Sequence, residues 1–292
     1  MTEPRYRHVL VPLDGSDFAV AAVPTARALA ERFSAQLHAL SVAESPGDVE
    51  KLRSDAAAAL GLAAGDERVS VVVGDDAAAE IERHVAELDS CVVCMSTHGH
   101  GRFAGAIIGS VARSLLESTR QSIVVVGPLA DRARETVPRP PAPLSIPRLA
   151  ACVDGSAASE TVIPVAVDWA AALGMSVTIL TVAEPTPPPI RPDATWRRHH
   201  GPDEDADAYV QRLAAQWSGA AVPVDTHVVY DPIGPGEGIQ AYQDEQPTGL
   251  IAVTTHARTG LKRVVFGASA AAMVYWSRSP ALVVPITAAD AS

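Results

Sequence analysis

The chain has 292 residues, a length that allows two ordinary domains. Hydrophobic residues make up 48% and charged residues 20%, which suits buried cores and excludes a disordered chain. The formal charge of −11 argues against a nucleic-acid partner, because such a surface needs clustered Lys and Arg.

Residues 1–8 are polar and do not resemble a secretory leader, and no apolar run approaches the ~18 residues of a membrane span. Three cysteines, an odd number, fit a reducing compartment. The expectation is a cytoplasmic chain with no membrane partner.

In chain order, His8–Leu13 is a β-type run closed by Asp14-Gly15-Ser16, a turn and helix-start signal. Ala19, Ala22, Val23, Ala26, Leu29, Ala30 and Phe33 then recur at helical spacing. Gln36–Val42 is a strand, Val49–Leu62 a helix, Val69–Val73 a strand and Ala77–Leu88 a helix. Cys91–Ser96 is a fourth strand, a helix opens over Ser110–Ser118, and Ser122–Val126 is a fifth strand. Near-continuous apolar strands separated by helices predict a parallel sheet covered on both faces.

The series then repeats. Val11 to Ser16 returns as Ala151 to Ser156, and Leu40 to Glu44 as Leu180 to Glu184, both offset by 140 positions. Ser96-Thr97-His98-Gly99 returns as Thr254-Thr255-His256-Ala257, and Ile108-Gly109-Ser110 as Phe266-Gly267-Ala268, offset by 158. Strands of the second copy are predicted at Leu149–Val153, Ser176–Val182, Val224–Val229, Gly249–Thr254 and Ala281–Pro285. A period this long means two tandem domains, since solenoid repeats are several-fold shorter. The expected boundaries are 1–128 and 147–288, with a proline-rich, extended linker over 129–146 that supports no core. A second proline-rich segment, Pro185–Pro192, opens an insertion in copy two that leads to a helix near Tyr209–Trp217. The apolar last strands, Ile123–Val126 and Leu282–Val284, are candidate edges for pairing within one chain or between chains.

In an open parallel sheet, ligands bind beyond the carboxyl ends of the strands where strand order reverses. Candidates there are Asp14, Val42–Glu44, Gly74-Asp75 and, above all, Ser96 to Arg102 followed by Gly109-Ser110. Glycines let backbone N–H groups approach phosphate oxygens, a helix start attracts negative charge, and Ser110 adds a hydroxyl. Arg102 can neutralise a phosphate, and Asp14 can accept from a ribose hydroxyl.

Ser96-x-x-Gly99, nine residues, then Gly109-Ser110, with Asp14 after the first strand, resembles the nucleotide-binding pattern of the universal stress protein family. The two copies look like its tandem form. The resemblance implies two doubly wound (Rossmann-like) five-stranded α/β domains, domain pairing through the last strand, and ATP, with or without Mg2+, as cofactor. The implied nucleotide-binding set in copy one is Pro12, Asp14, Val42, Ser96, Gly99, Gly101, Arg102, Gly109 and Ser110. Asp14 would contact ribose, the Val42 backbone would lie near adenine, and Ser96 to Arg102 with Gly109-Ser110 would hold the phosphates. Ser96 departs from the glycine often found at the first motif position. Copy two retains Asp154, His256, Arg258 and Gly267, but Ala257 replaces the second glycine and Ala268 the serine. A methyl at 257 would obstruct a backbone with positive φ. Copy one is therefore expected to bind nucleotide, and copy two weakly or not at all.

Plainer readings stand beside these. Asp-Gly-Ser is ordinary turn chemistry. Cys91 and Cys94 are three apart on a strand and face opposite ways, which favours buried structural thiols over a redox or zinc pair. His98 and His256 can serve their loops by hydrogen bonding instead of touching a ligand. The chain lacks a G-x-x-x-x-G-K-S/T loop, a G-x-G-x-x-G fingerprint after the first strand, and a G-x-S-x-G elbow. No catalytic residue is assigned. The expectation is a nucleotide-dependent stress-response regulator or sensor, with a regulatory protein partner unspecified and a homodimer possible in principle. An interaction module without nucleotide and a slow ATPase remain open.

Overall fold

Alternation of inward-facing apolar residues along short strands sets the architecture. In β1 (His8–Pro12), Val9 and Val11 point to one face of the sheet and Leu10 to the other, and all three are fully buried. The computed structural model describes residues 6–97, 108–128, 130, 143–183, 205–230, 234–257, 264–265 and 267–286, with backbone only at 256–257 and 264–265.

The first half adds β2 (Gln36–Ala43), β3 (Val69–Val73), β4 (Cys91–Ser96) and β5 (Ile123–Val126). The second half has β6 (Arg148–Cys152), β7 (Ser176–Ala183), β8 (Val224–Tyr230), β9 (Leu250–Thr254) and β12 (Ala281–Val284). A short antiparallel pair, β10 (His256–Ala257) and β11 (Val264–Val265), stands apart.

The two five-stranded units expected from the sequence join through their last strands, so that the ten strands form one sheet, ordered β3-β2-β1-β4-β5-β12-β9-β6-β7-β8. Every neighbouring pair is parallel except β5 with β12, which run antiparallel with Ala281 opposite Val125, Leu282 opposite Val124 and Val283 opposite Ile123. The last strands therefore pair within one chain.

Helices cover both faces. In copy one, α1 (Asp17–Val20), α2 (Val23–Phe33) and α3 (Val49–Leu60) lie on one side, and α4 (Ala77–Glu87) and α5 (Ser110–Ser118) on the other. Copy two repeats this with α6 (Ala157–Glu160), α7 (Val162–Leu173) and α8 (Ala206–Gln216) against α9 (Pro235–Glu245) and α10 (Ala268–Trp276). Local chemistry explains the ends. Asp76 caps α4 by accepting from the Ala78 and Ala79 N–H groups at 3.1 Å, while Gly61 and Gly174 end α3 and α7 in the left-handed region. Pro24 occupies the first turn of α2, where its missing N–H costs nothing.

The two copies also meet through side chains. Phe33 of α2 packs edge-on against Trp169 of α7 at 5.3 Å and 89°, and Tyr6 touches both rings. Arg32 donates to the Leu173 carbonyl at 2.7 Å, satisfying the carboxyl end of α7. Cys91 and Cys94 lie in the cores on opposite faces, and burial pushes the Cys91 thiol up to about 12.

One expectation fails at the linker ends. Ala130 and Leu144 are buried in the core, and Leu144 also supplies a carbonyl to Arg32. Both side chains are apolar, and their burial removes that surface from water.

Gly127 follows β5 so closely under α10 that an added Cβ would sit 2.2 Å from the Val274 carbonyl oxygen. That atom is backbone and cannot yield without moving the helix. Gly127→Ala should cost about 1–3 kcal/mol in urea denaturation. Gly65→Ala and Gly219→Ala, where the added atom meets nothing within 4 Å, should change stability by no more than about 0.5 kcal/mol.

Candidate functional site

The chain builds β2 and β3 to one side of β1, then crosses to the other side for β4 and β5. Strand order reverses between β1 and β4, so the helices that follow diverge to opposite faces and leave a crevice at the carboxyl ends. A cleft of about 190 Å3 lies there. Six residues singled out in the sequence line it together: Pro12, Asp14, Val42, Ser96, Gly109 and Ser110.

The Asp14 turn has a definite geometry. Asp14 Oδ1 accepts from the Ser16 N–H at 3.0 Å and the Ser16 hydroxyl at 2.6 Å, and Ser16 Oγ accepts from the Ala19 N–H at 3.2 Å. Gly15 sits at φ 79, which a side chain would resist. Copy two reproduces the turn: Asp154 accepts from Ser156 at 3.0 and 2.6 Å, with Gly155 at φ 86. Asp-Gly-Ser thus serves turn and cap in both domains, and in copy one its aspartate also faces the cleft.

On the opposite wall, Gly109 is the N-cap of α5, and its own N–H donates to the Thr97 carbonyl at 2.7 Å. This removes the Gly109 N–H from any ligand. The next three N–H groups, of Ser110, Val111 and Ala112, have no acceptor within the helix, and all three residues line the cleft. They offer backbone donors and the positive end of a helix dipole to an anion. The remaining wall is apolar, with Leu40 beside Val42 on β2, Ile81 on α4 and Met95 on β4. The cleft is thus anion-attracting at one end and apolar at the other.

Sequence reading missed Leu40, Ala77, Ile81 and Met95 as cleft residues, while Thr97 falls within the Ser96 to Arg102 segment it singled out. Leu40 was inferable, because it lies two residues from Val42 and shares its strand face. Ile81 gave no local sign, since an apolar residue on a helix reads as core.

Gly99, Gly101 and Arg102 lie outside the described residues, as do Arg258 and the side chain of His256. Gly267 caps α10 as Gly109 caps α5. Ala257 belongs to β10, an extended backbone that alanine adopts freely, so the predicted obstruction through positive φ does not arise.

Copy two differs elsewhere. Where α4 carries Ala78 and Glu80, α9 carries Gly236 and Gly238. A Cβ on Gly238 would meet Val182 Cγ1 at 2.5 Å, and one on Gly236 would meet the Trp276 indole at 2.4 Å. Val182 is the counterpart of Val42, so the wall strand in copy two packs directly on helix backbone. On the other face, buried Tyr209 of α8 sits beside Ser159 and Glu160, under the Asp154 turn.

Among the described residues, no group of three or more His, Cys, Asp or Glu is arranged to hold a metal ion. Nor is any helix among them long and apolar enough to cross a membrane.

The universal stress protein family profile matches residues 5–127 and again 146–285. Among solved structures, a universal stress protein from Archaeoglobus fulgidus DSM 4304 matches at 15% identity with a TM-score of 0.64, covering 98% of this chain and 99% of that one. A Pseudomonas aeruginosa UCBPP-PA14 protein described as a putative universal stress protein matches at 14% identity and TM-score 0.61, over 100% and 97% of the two chains. At these identities the likeness concerns the fold. A universal stress protein solved in complex with cAMP matches 41% of this chain and 96% of its own, at 26% identity and TM-score 0.33. No curated protein matches the sequence. With both halves matched by one family, and with the same fold built twice around a single sheet, the chain belongs to the universal stress protein family as a tandem two-domain member.

Proposed function

We propose that copy one binds an adenine nucleotide, ATP in the first instance, and that occupancy makes the protein a regulator or sensor in a stress response. The observation that carries this reading is the cleft's division of chemistry. Ser110, Val111 and Ala112 present helix N-terminal donors at one end, and Leu40, Val42 and Ile81 form an apolar wall at the other. A nucleotide has matching parts: phosphates for the helix start and a flat base for the apolar wall. Asp14, on the rim between them, suits a ribose hydroxyl. Gly99, Gly101 and Arg102 belong to the proposed phosphate set by their place in the motif.

The residues present fit the nucleotide better than they fit a resident metal cage. Mg2+ would travel on the phosphate oxygens and their waters, with at most a carboxylate from the protein. The proposed role is binding without fast turnover, and occupancy would change shape or the choice of a protein partner.

We further propose one nucleotide per chain. Support comes from Val182 and Trp276, which close on the glycines of α9 where copy one keeps open space beside Val42. Protein denatured as purified should release about one adenine nucleotide per chain, read by anion-exchange chromatography. Two per chain would place a working site in copy two. An empty protein that takes up no ATP in calorimetry would favour the interaction module.

Ser110→Asp separates binding from folding. A carboxylate in the first turn of α5 favours the helix by about 0.3–1 kcal/mol and repels a phosphate at the same place. ATP affinity should fall about tenfold or more in calorimetry while the denaturation midpoint holds or rises. Unchanged affinity would mean that the phosphates do not lie on α5.

A further inference from the structure

At the end of the first domain away from the cleft, three histidines from three elements converge: His8 on β1, His38 on β2 and His84 in the last turn of α4. His8 Nδ1 and His38 Nε2 are 3.0 Å apart, with the rings edge to face at 5.0 Å and 62°. A contact of this length holds one proton, since one nitrogen must donate and the other accept. With both rings as imidazolium ions, two N–H groups and two positive charges would meet head-on.

The surroundings oppose that second charge. His84 and Arg68 face His38 with the same sign, while Asp66 opposes them but is engaged by Arg68 at 2.7 Å. His84 is only 19% exposed, and its Nδ1 lies 3.8 Å from Glu87. On β4, the neighbour of His8 is Cys91, whose buried thiol stays neutral.

Each of these elements reaches the cleft at its other end. Pro12 closes β1, Leu40 and Val42 follow His38 on β2, and Ala77 and Ile81 begin α4. Copy two has Arg148, Thr178 and Tyr242 at the three matching positions. There a single imidazole, His227, packs on the Tyr242 ring at 5.0 Å. The paired imidazoles are thus a feature of the domain that keeps the cleft.

We propose that the His8–His38 pair is an acid-released latch that fastens the amino ends of β1 and β2 against α4 while it shares one proton. Protonation of both rings releases the carboxyl-terminal half of α4 and loosens Ile81, the cleft residue one turn before it. The latch acts whatever the cleft holds.

The direction of the pH effect follows from linkage. Burial first, then His8, His84 and Arg68, lowers the His38 pKa from its ordinary 6.5 to about 4. A released His38 takes up a proton below its ordinary value and the latched one does not. Acid therefore favours the released form, increasingly from about pH 6.5 downward, with the effect complete near pH 4.

Hydrogen–deuterium exchange on the full chain tests this, with protection factors corrected for intrinsic exchange at each pH. Between about pH 7 and about pH 4.5, protection of α4 should fall about tenfold or more while that of α9 stays within about twofold. His38→Gln keeps a hydrogen-bonding side chain that does not titrate and should flatten the α4 response. His8→Gln should do the same, and serves if the first variant fails to fold. A wild-type α4 no more acid-sensitive than α9, or a folded variant with the full wild-type response, would overturn the latch.

Discussion

The antiparallel pairing of β5 with β12 is the contact on which the rest of the structure depends. Each half of the chain builds a five-stranded sheet whose last strand would otherwise present a row of unpaired backbone groups. Val124, Val125, Leu282 and Val283 are at most 1% exposed, so the edge is sealed by side chains as well as by the ladder. The pairing merges the helix-covered layers on each face into cores that run across both copies. It also sets the strands of the two halves in opposite directions, so their carboxyl ends lie at opposite ends of the sheet.

Within each half, the reversal of strand order at β1 creates the crevice, and a small number of backbone contacts shape it. The Asp14 turn places α1 and α2 on one face, and the Gly109 N–H bond to Thr97 seats α5 at the end of β4. Both contacts are structural in origin. They leave an aspartate and a helix start on the rim of an apolar crevice, the arrangement on which the proposed nucleotide site rests. The same residues can close a turn and face a ligand without conflict.

The two copies show how little it takes to alter such a crevice. The Asp-Gly-Ser turn and the glycine cap of the last helix survive in copy two with nearly the same geometry. The differences lie in packing: glycines on α9 admit Val182 and Trp276, and Tyr209 fills beneath the turn. At the far end of the sheet, imidazoles in copy one stand where copy two has a guanidinium, a hydroxyl and a phenol. Copy one thus combines an open cleft with a cluster of imidazoles.

Much of this was legible in the chain itself. Near-continuous apolar runs, helical spacing and the 140-residue offset of Asp14-Gly15-Ser16 defined the strands, the helices and the duplication, because these signals are local and each copy checks the other. Pro12, Asp14, Val42, Ser96, Gly109 and Ser110 were found as site residues because strand ends and helix starts are visible one-dimensionally. The Leu40, Ile81 and Met95 wall, the closing of copy two by Val182 on Gly238, and the meeting of His8, His38 and His84 were not. Sequence by itself determined which elements form and where their ends carry polar groups, since those depend on neighbours along the chain. Only the tertiary structure decided which apolar side chains face a cleft instead of a core, how closely a helix approaches a strand, and which imidazoles share a proton. Those outcomes turn on distances between residues far apart in the chain, set by packing across the sheet.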